Sequence, residues 1–158
     1  MPLAQASIER SPSRLWQLPS WLLAQAALRG QRITARRFDV VGMRRQHFAI
    51  LSALADGGPA SQAELARELR IDRSDMVAVI GELERAGLVR RARDASDRRR
   101  NAVTLTPAGV YALGQLDAQV EDAQRELLAP LSAAERAQLT WLLTRLVEHH
   151  TAERLSAA

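Results

Sequence analysis

The stretch that decides the fold is residues 71–106, IDRSDMVAVIGELERAGLVRRARDASDRRRNAVTLT. Its first part repeats apolar residues at three- and four-residue spacings, which predicts a helix with one face in a small core. Asp72 is the predicted cap, because its carboxylate accepts from N–H groups that the first turn leaves unpaired. Gly87 is the predicted stop. The inward residues are Met76, Val79, Ile80 and Leu83.

The opposite face of this helix carries mostly small side chains. Ser74, Ala78 and Gly81 lie there together with Arg85. Small side chains let the helix backbone come close to a partner surface. We therefore expect this face to contact a partner rather than the core.

A basic hairpin is predicted after the helix. Leu88–Arg93 and Ala102–Leu105 have strand character, and Asp94–Asn101 form the turn between them. A helix followed by a basic hairpin is typical of a winged helix, in which the helix enters a major groove and the wing reaches a phosphate or a minor groove. The arginines of the hairpin are Arg90, Arg91, Arg93, Arg98, Arg99 and Arg100.

Three further helices are predicted before Asp72 and two after the hairpin. The first covers Trp21 to about Asp39 and the second Arg44–Ala55. Ser61 and Glu64 form a capping box that starts a third helix, and the connection to Asp72 is so short that it predicts a helix-turn-helix. Thr106 and Pro107 start a fifth helix that runs to about Ala129, and a capping box of Ser132 and Glu135 starts a sixth.

The predicted fold is mainly α with a small β-wing, a winged helix-turn-helix with N- and C-terminal dimerisation helices. The first helix is apolar nearly all round at Trp21–Leu28, which indicates burial on more than one side. The last two helices have no domain of their own to cover, so we expect them to pack on the first helix and on a second copy. The predicted division is an arm at 1–18, dimerisation helices at 19–40 and 107–158, and a DNA-binding domain at 41–106.

Length and composition limit the classes of protein to which the chain can belong. The chain has 158 residues, enough for one domain or for a small domain with oligomerisation helices. Its 22 cationic residues are all arginine and its net charge is +4, a balance that suits a polyanionic partner. A GC-rich genome and selection for phosphate-binding guanidinium forks both explain the arginines.

Several classes find no support in the sequence. Cysteine is absent, which removes disulfides and thiolate sites and fits a reducing cytoplasm. The apolar run Trp21–Leu28 is too short to cross a membrane, and the first residues do not resemble a signal peptide. No nucleophile–base pair, phosphate loop or zinc-protease motif is present, so we expect neither an enzyme nor a cofactor. His149 and His150 are adjacent, so they do not converge on one metal ion and are interpreted as polar residues near a helix end.

Two spaced motifs carry a family resemblance. Asp97 and Arg99 begin the pattern D-x-R-x5-L-T, which ends at Leu105 and Thr106 and is followed by Gly109. The pattern L-E-x-x-G-L-V is present at residues 83–89. With this order of helices, the chain resembles the MarR family of bacterial transcriptional regulators, by motif over about residues 40–130.

The resemblance implies a homodimer that binds a near-palindromic operator in double-stranded DNA and loses affinity when a small aromatic or phenolic ligand binds. It implies that Asp97 steadies the wing through an arginine and that Arg98 or Arg99 enters the minor groove. The chain departs from many members at Val77 and Ala78, where a polar or basic residue is common. The DNA-contact candidates are Ser61, Arg73, Ser74, Asp75, Ala78, Arg85, Arg98, Arg99 and Arg100.

Three of these interpretations have a plainer alternative. Asp75 either accepts from a cytosine or reinforces the helix start. Arginine clusters are often only solvated hairpins, although this one follows a matched helix. Trp16, Trp21 and His47 either border a ligand pocket at the dimer seam or pack the core.

We therefore predict a cytoplasmic, sequence-specific DNA-binding regulator, a repressor relieved by a small aromatic or phenolic ligand, with no metal and no membrane partner. The alternative is a winged-helix interaction module that binds a protein or non-specific nucleic acid.

Overall fold

The computed structural model describes residues 14–93 and 101–156. It confirms a mainly α fold with a small sheet, in which a single 3-10 turn at Leu15–Gln17 precedes the first helix. Two compact units are present, one extending to Ala123 and one beginning at Gln124. The helices are α1 (Pro19–Val40), α2 (Arg45–Gly57), α3 (Gln62–Leu69), α4 (Arg73–Arg85), α5 (Pro107–Leu127) and α6 (Ala133–Ser156); the strands are β1 (Ala60–Ser61), β2 (Val89–Arg93) and β3 (Asn101–Leu105).

The predicted caps start the helices. Ser61 Oγ accepts from the Glu64 N–H at 3.2 Å, and Glu64 Oε2 accepts from the Ser61 N–H at 2.8 Å. Ser132 and Glu135 make the same exchange at the start of α6, at 3.3 and 2.7 Å. These bonds satisfy N–H groups that have no partner within the helix. The predicted helix ends were less accurate than the starts. The second helix was predicted to end at Ala55 but continues to Gly57, and the fifth was predicted to run to about Ala129 but ends at Leu127.

The core of the first unit lies between α2, α3, α4 and the sheet, and α1 and α5 contribute Phe38 and Leu116 to it. The four inward residues of α4 are all at most 3% exposed. Burying apolar side chains is the main favourable term in folding, so this face fixes α4 to the unit. The largest fully buried side chains are Phe38, Ile50, Leu51, Leu65, Met76, Ile80, Leu83, Leu116, Val89 and Val103.

The sheet has three antiparallel strands in the order β1-β3-β2. Val89 lies opposite Leu105, and Arg93 lies opposite Asn101. Asn101 therefore belongs to β3 rather than to the predicted turn, of which residues 94–100 lie outside the described residues. Sequence reasoning missed β1, because two residues are too few to show the alternation that marks a strand.

The two family motifs meet where α4 ends and α5 begins. Gly87 has a φ of 73°, a left-handed conformation that suits glycine. Its carbonyl accepts from the Thr106 hydroxyl at 2.6 Å, and the same Thr106 oxygen accepts from the Gly109 N–H at 3.0 Å. The Thr106 N–H donates to the Leu88 carbonyl at 3.1 Å. Thr106 thus caps α5 and ties it to the turn that follows α4.

Gly109 is required by this junction. It is buried, and a Cβ there would collide with the carbonyl oxygen of Leu88 and lie 3.1 Å from Cδ2 of Leu105. Backbone cannot move aside as a flexible side chain can. The glycine of L-T-x-x-G therefore serves close packing.

We predict that Gly109→Ala lowers the free energy of unfolding by about 1–3 kcal/mol, because overpacking forces the backbone to shift. The matched control is Gly114→Ala on the same helix, where a Cβ meets nothing within 4 Å. That variant should gain about 0.5–1 kcal/mol from helix propensity. Urea unfolding followed by circular dichroism measures both. Equal effects of the two substitutions would contradict the packing role of Gly109.

Candidate nucleic-acid interface

The outward face of α4 is exposed along its length. Arg73 and Ser74 are exposed in the first turn, Val77 and Ala78 in the middle, and Arg85 at the end. A Cβ added to Gly81 would lie in open space. The face therefore has small side chains in the middle and an arginine at each end. This arrangement suits close approach to a polyanion.

The first turn of α4 is ordered by Asp72. Its Oδ1 accepts from the Ser74 N–H at 2.8 Å and from the Ser74 hydroxyl at 2.5 Å. These bonds, the hydroxyl first, hold the pKa of the Asp72 carboxyl below its ordinary value. The Ser74 hydroxyl thus donates within the cap and keeps only acceptor lone pairs for a partner. Asp75 is exposed in the same turn, where a carboxylate stabilises a helix start.

Glu82 and Glu84 join α4 to its neighbours on two sides. Glu84 Oε2 lies 3.2 Å from an Arg91 guanidinium nitrogen of β2. Glu82 Oε2 lies 2.9 Å from His47 Nε2 and also pairs with Arg44 just before α2. Hydrogen bonds are directional, so these contacts add to the buried face of α4 in setting the rotation of the helix about its axis.

His47 is the buried member of this cluster, at 7% exposure. Its Nδ1 accepts from the Arg44 N–H at 3.1 Å, which leaves Nε2 to donate to Glu82. The hydrogen bond from His47, followed by that from Arg44, lowers the pKa of the Glu82 carboxyl from its ordinary value of 4.5. Sequence reasoning missed these contacts, because 35 residues separate His47 from Glu82.

A groove of about 450 Å³ runs between the start of α3, the side of α4 and the strands. It brings the predicted contact residue Ser61 close to Val77 and Arg91, neither of which was a DNA-contact candidate. Arg90 is exposed nearby on β2, with Nε donating to Thr104 Oγ1 at 3.2 Å. The groove is lined by Ser61, Gln62, Ala63, Val77, Arg91 and Val103.

The remaining predicted site residues belong to the wing and to the predicted ligand pocket. The wing residues Asp97, Arg98, Arg99 and Arg100 lie outside the described residues. Trp16 is 54% exposed and Trp21 38% exposed, whereas His47 is buried. The ligand pocket that these three were predicted to border stays a prediction.

Three further features concern only the described part of the chain. Within residues 14–93 and 101–156, no group of three or more histidine, aspartate or glutamate side chains is placed to hold a metal ion. The ring centroids of His149 and His150 lie 5.0 Å apart in an edge contact. Over the same residues, every helix is too short or too polar to span a bilayer.

A helix-turn-helix of α3 and α4, followed by the hairpin of β2 and β3, defines a winged helix-turn-helix protein. The model of the MarR family matches residues 41–100. The regulatory protein assigned to the hcr operon of Thauera aromatica is 38% identical over 63% of this chain and 60% of its own length. The HTH-type transcriptional repressor NicR of Pseudomonas putida is 26% identical over 92% of both chains.

Solved structures agree with this assignment. A probable transcriptional regulator from Pseudomonas aeruginosa matches with a TM-score of 0.74 and 34% identity, over 84% of this chain and 99% of its own. BpsR of Bordetella bronchiseptica, whose DNA binding is regulated by 6-hydroxynicotinic acid, matches with a TM-score of 0.73 and 27% identity, over 83% and 94%. The chain belongs to the MarR family of transcriptional regulators, as its motifs predicted.

We predict that Glu82→Gln destabilises the fold at neutral pH and that the difference from the parent chain disappears in acid. The folded-state pKa of Glu82 lies below its ordinary value of 4.5, so the ionised carboxylate stabilises the fold above that pH. This contribution is lost as the pH falls through 4.5 and then through the lowered folded value. Urea unfolding of both proteins between pH 3 and pH 7 measures it.

The control is Glu121→Gln on the exposed side of α5, which should have a much smaller effect across the same range. If Glu82→Gln produced a loss that was constant from pH 7 to pH 3, the charged contact with His47 and Arg44 would not be its cause.

Proposed function

We propose that the chain is a sequence-specific DNA-binding regulator that acts as a homodimer on a pseudo-palindromic operator. The observation that carries this proposal is the exposed, low outward face of α4, with Arg73 and Arg85 at its ends and Ser61 beside it. A helix of this kind enters a major groove, while arginines outside it bind phosphates. The regulated DNA binding of the relative BpsR supports the same function.

The wing extends this contact in the proposal. Arg98, Arg99 and Arg100 follow β2 in the sequence, in a stretch rich in arginine, and the family resemblance assigns one of them to the minor groove. Asp97 is proposed to hold the wing in position through an arginine. Most of the hairpin contacts should be to phosphates, which fix register without reading sequence.

Dimerisation is proposed for α1 and for the helices after the wing, at residues 19–40 and 107–158, with residues 41–106 binding DNA. Large apolar side chains are exposed on α1 and, separately, on α6 of the single chain, and such patches mark protein interfaces. Two copies would hold their α4 helices about 34 Å apart, one turn of DNA. The exposed residues are Trp21, Leu22, Leu23 and Leu28 on α1, and Trp141, Leu142, Leu146 and Val147 on α6.

Regulation by a small aromatic or phenolic ligand is the last part of the proposal. BpsR responds to an aromatic acid, and NicR is a repressor. A ligand that prefers a dimer with wrongly spaced α4 helices would lower operator affinity by its differential affinity for that state. Trp16, Trp21 and His47 are the proposed pocket residues.

We predict that Arg73→Ala weakens binding to a duplex selected from a random library and reduces the slope of log Kd against log salt by about 1, because one phosphate contact is lost. Arg99→Ala should do the same from the wing. The control is Arg32→Ala, an exposed arginine of α1, which should leave the slope unchanged. Fluorescence anisotropy across a salt series measures all three.

Two results would count against this function. Failure of the selection to enrich any sequence would instead favour a module that binds nucleic acid without specificity. Unchanged slopes for both Arg73→Ala and Arg99→Ala would remove α4 and the wing from the interface.

We predict that a panel of aromatic acids and phenols, including 6-hydroxynicotinic and salicylic acid, contains a compound that raises the Kd for the selected duplex and changes tryptophan emission. The aliphatic control, succinic acid, should do neither. Trp21→Phe should retain folding and reduce the emission change if Trp21 borders the pocket. A duplex affinity that no member of the panel alters would contradict ligand regulation of this class.

A further inference from the structure

The middle of the outward face of α4 is apolar. Val77 is 54% exposed, whereas its neighbours Met76 and Val79 are 1% and 3% exposed. Ala78 is exposed beside it. An exposed valine gains free energy when a partner removes it from water. The exposure therefore points to a partner with an apolar group at this position.

Hydrogen bonding is not available at this point of the helix. Val77, Ala78 and Gly81 carry no donor or acceptor in their side chains. Of the nearest polar side chains, Ser74 donates to Asp72 and keeps only acceptor capacity, and Glu84 pairs with Arg91. Readout of a base by paired hydrogen bonds is thus confined to the ends of the helix.

The charges around the apolar centre match DNA. Arg73 and Arg85 are exposed at the two ends of α4, and Arg91, which pairs with Glu84, lines the groove on the side of Val77. Guanidinium groups on either side of an apolar strip suit a duplex, whose phosphates flank the groove and whose base edges lie at its floor. Among these edges, only thymine presents an apolar group, its 5-methyl.

We infer that Val77, together with Ala78, makes the protein specific for thymine at the centre of each half-site by burying the 5-methyl group. The inference rests on the proposed DNA-binding function and deepens it. Val77 is the specificity-determining residue, and the arginines supply affinity. Burial of one methyl group is worth about fourfold in Kd, so two symmetric half-sites give about fifteenfold.

The test replaces thymine by deoxyuridine, which differs only by the methyl group, in a duplex selected by the full-length protein. We expect one thymine in each half-site at which the replacement raises Kd about fourfold. A cytosine at that position should bind weakly, and 5-methylcytosine should recover part of the loss. Uracil replacements elsewhere in the duplex should change Kd much less.

Val77→Ala supplies the protein side of the test. Alanine favours helix and the site is exposed, so the variant should fold. It should bind the thymine duplex more weakly. The rise in Kd on replacing thymine by uracil should shrink to less than about twofold, because the methyl group has lost its partner. The control is Asp56→Ala, which shortens an exposed side chain near the end of α2, outside the residues proposed for dimerisation, and should keep the full rise in Kd.

The outcomes separate the two proposals. Methyl readout is overturned if the protein selects one sequence but tolerates uracil at every thymine. It is also overturned if Val77→Ala keeps the full rise in Kd on uracil replacement. Both results leave DNA binding intact. A protein that selects no sequence overturns the proposed function and this inference with it.

Discussion

The orientation of α4 is the constraint on which the interface depends. Its inward face is fixed by burial, because rotation of the helix about its axis would expose core side chains to water. The contacts of Glu82 with α2 and of Glu84 with β2 lie on opposite sides of α4 and oppose such rotation. Successive helical residues are about 100° apart, so a slip by one position would put Met76 or Ala78 at the place of Val77.

The junction at Thr106 adds a second constraint. Thr106 bonds to Gly87 after α4 and to Gly109 in α5, so the end of one helix and the start of the other are tied through a single hydroxyl. The L-E-x-x-G-L-V pattern and the L-T-x-x-G end of the second pattern thus form one structural feature. A displacement of the first turn of α5 must move the turn that leads from α4 into β2.

Local features of this fold could be predicted from the sequence. Caps at Ser61, Asp72 and Ser132 depend on residues two or three positions away, and the core face of α4 follows from helical spacing. Contacts between distant segments could not be predicted in this way. The pairing of β1 with β3, the partners of His47 and the placement of Arg91 in a groove with Ser61 all depend on tertiary structure. Arg70 is a further case, because it has a left-handed φ of 54°. A glycine at this position would have predicted that conformation, whereas an arginine does not.

Two copies of α4 are expected to lie in adjacent major grooves of one duplex. The chain contains no cysteine, so Ala86→Cys, just after α4, gives a single attachment point for an iron–EDTA cleavage reagent. When the labelled protein is bound to the selected duplex, the reagent should cleave the DNA at two symmetric positions about 34 Å apart. A single cut position, or the same pattern from a reagent attached at Ala35→Cys on α1, would contradict it.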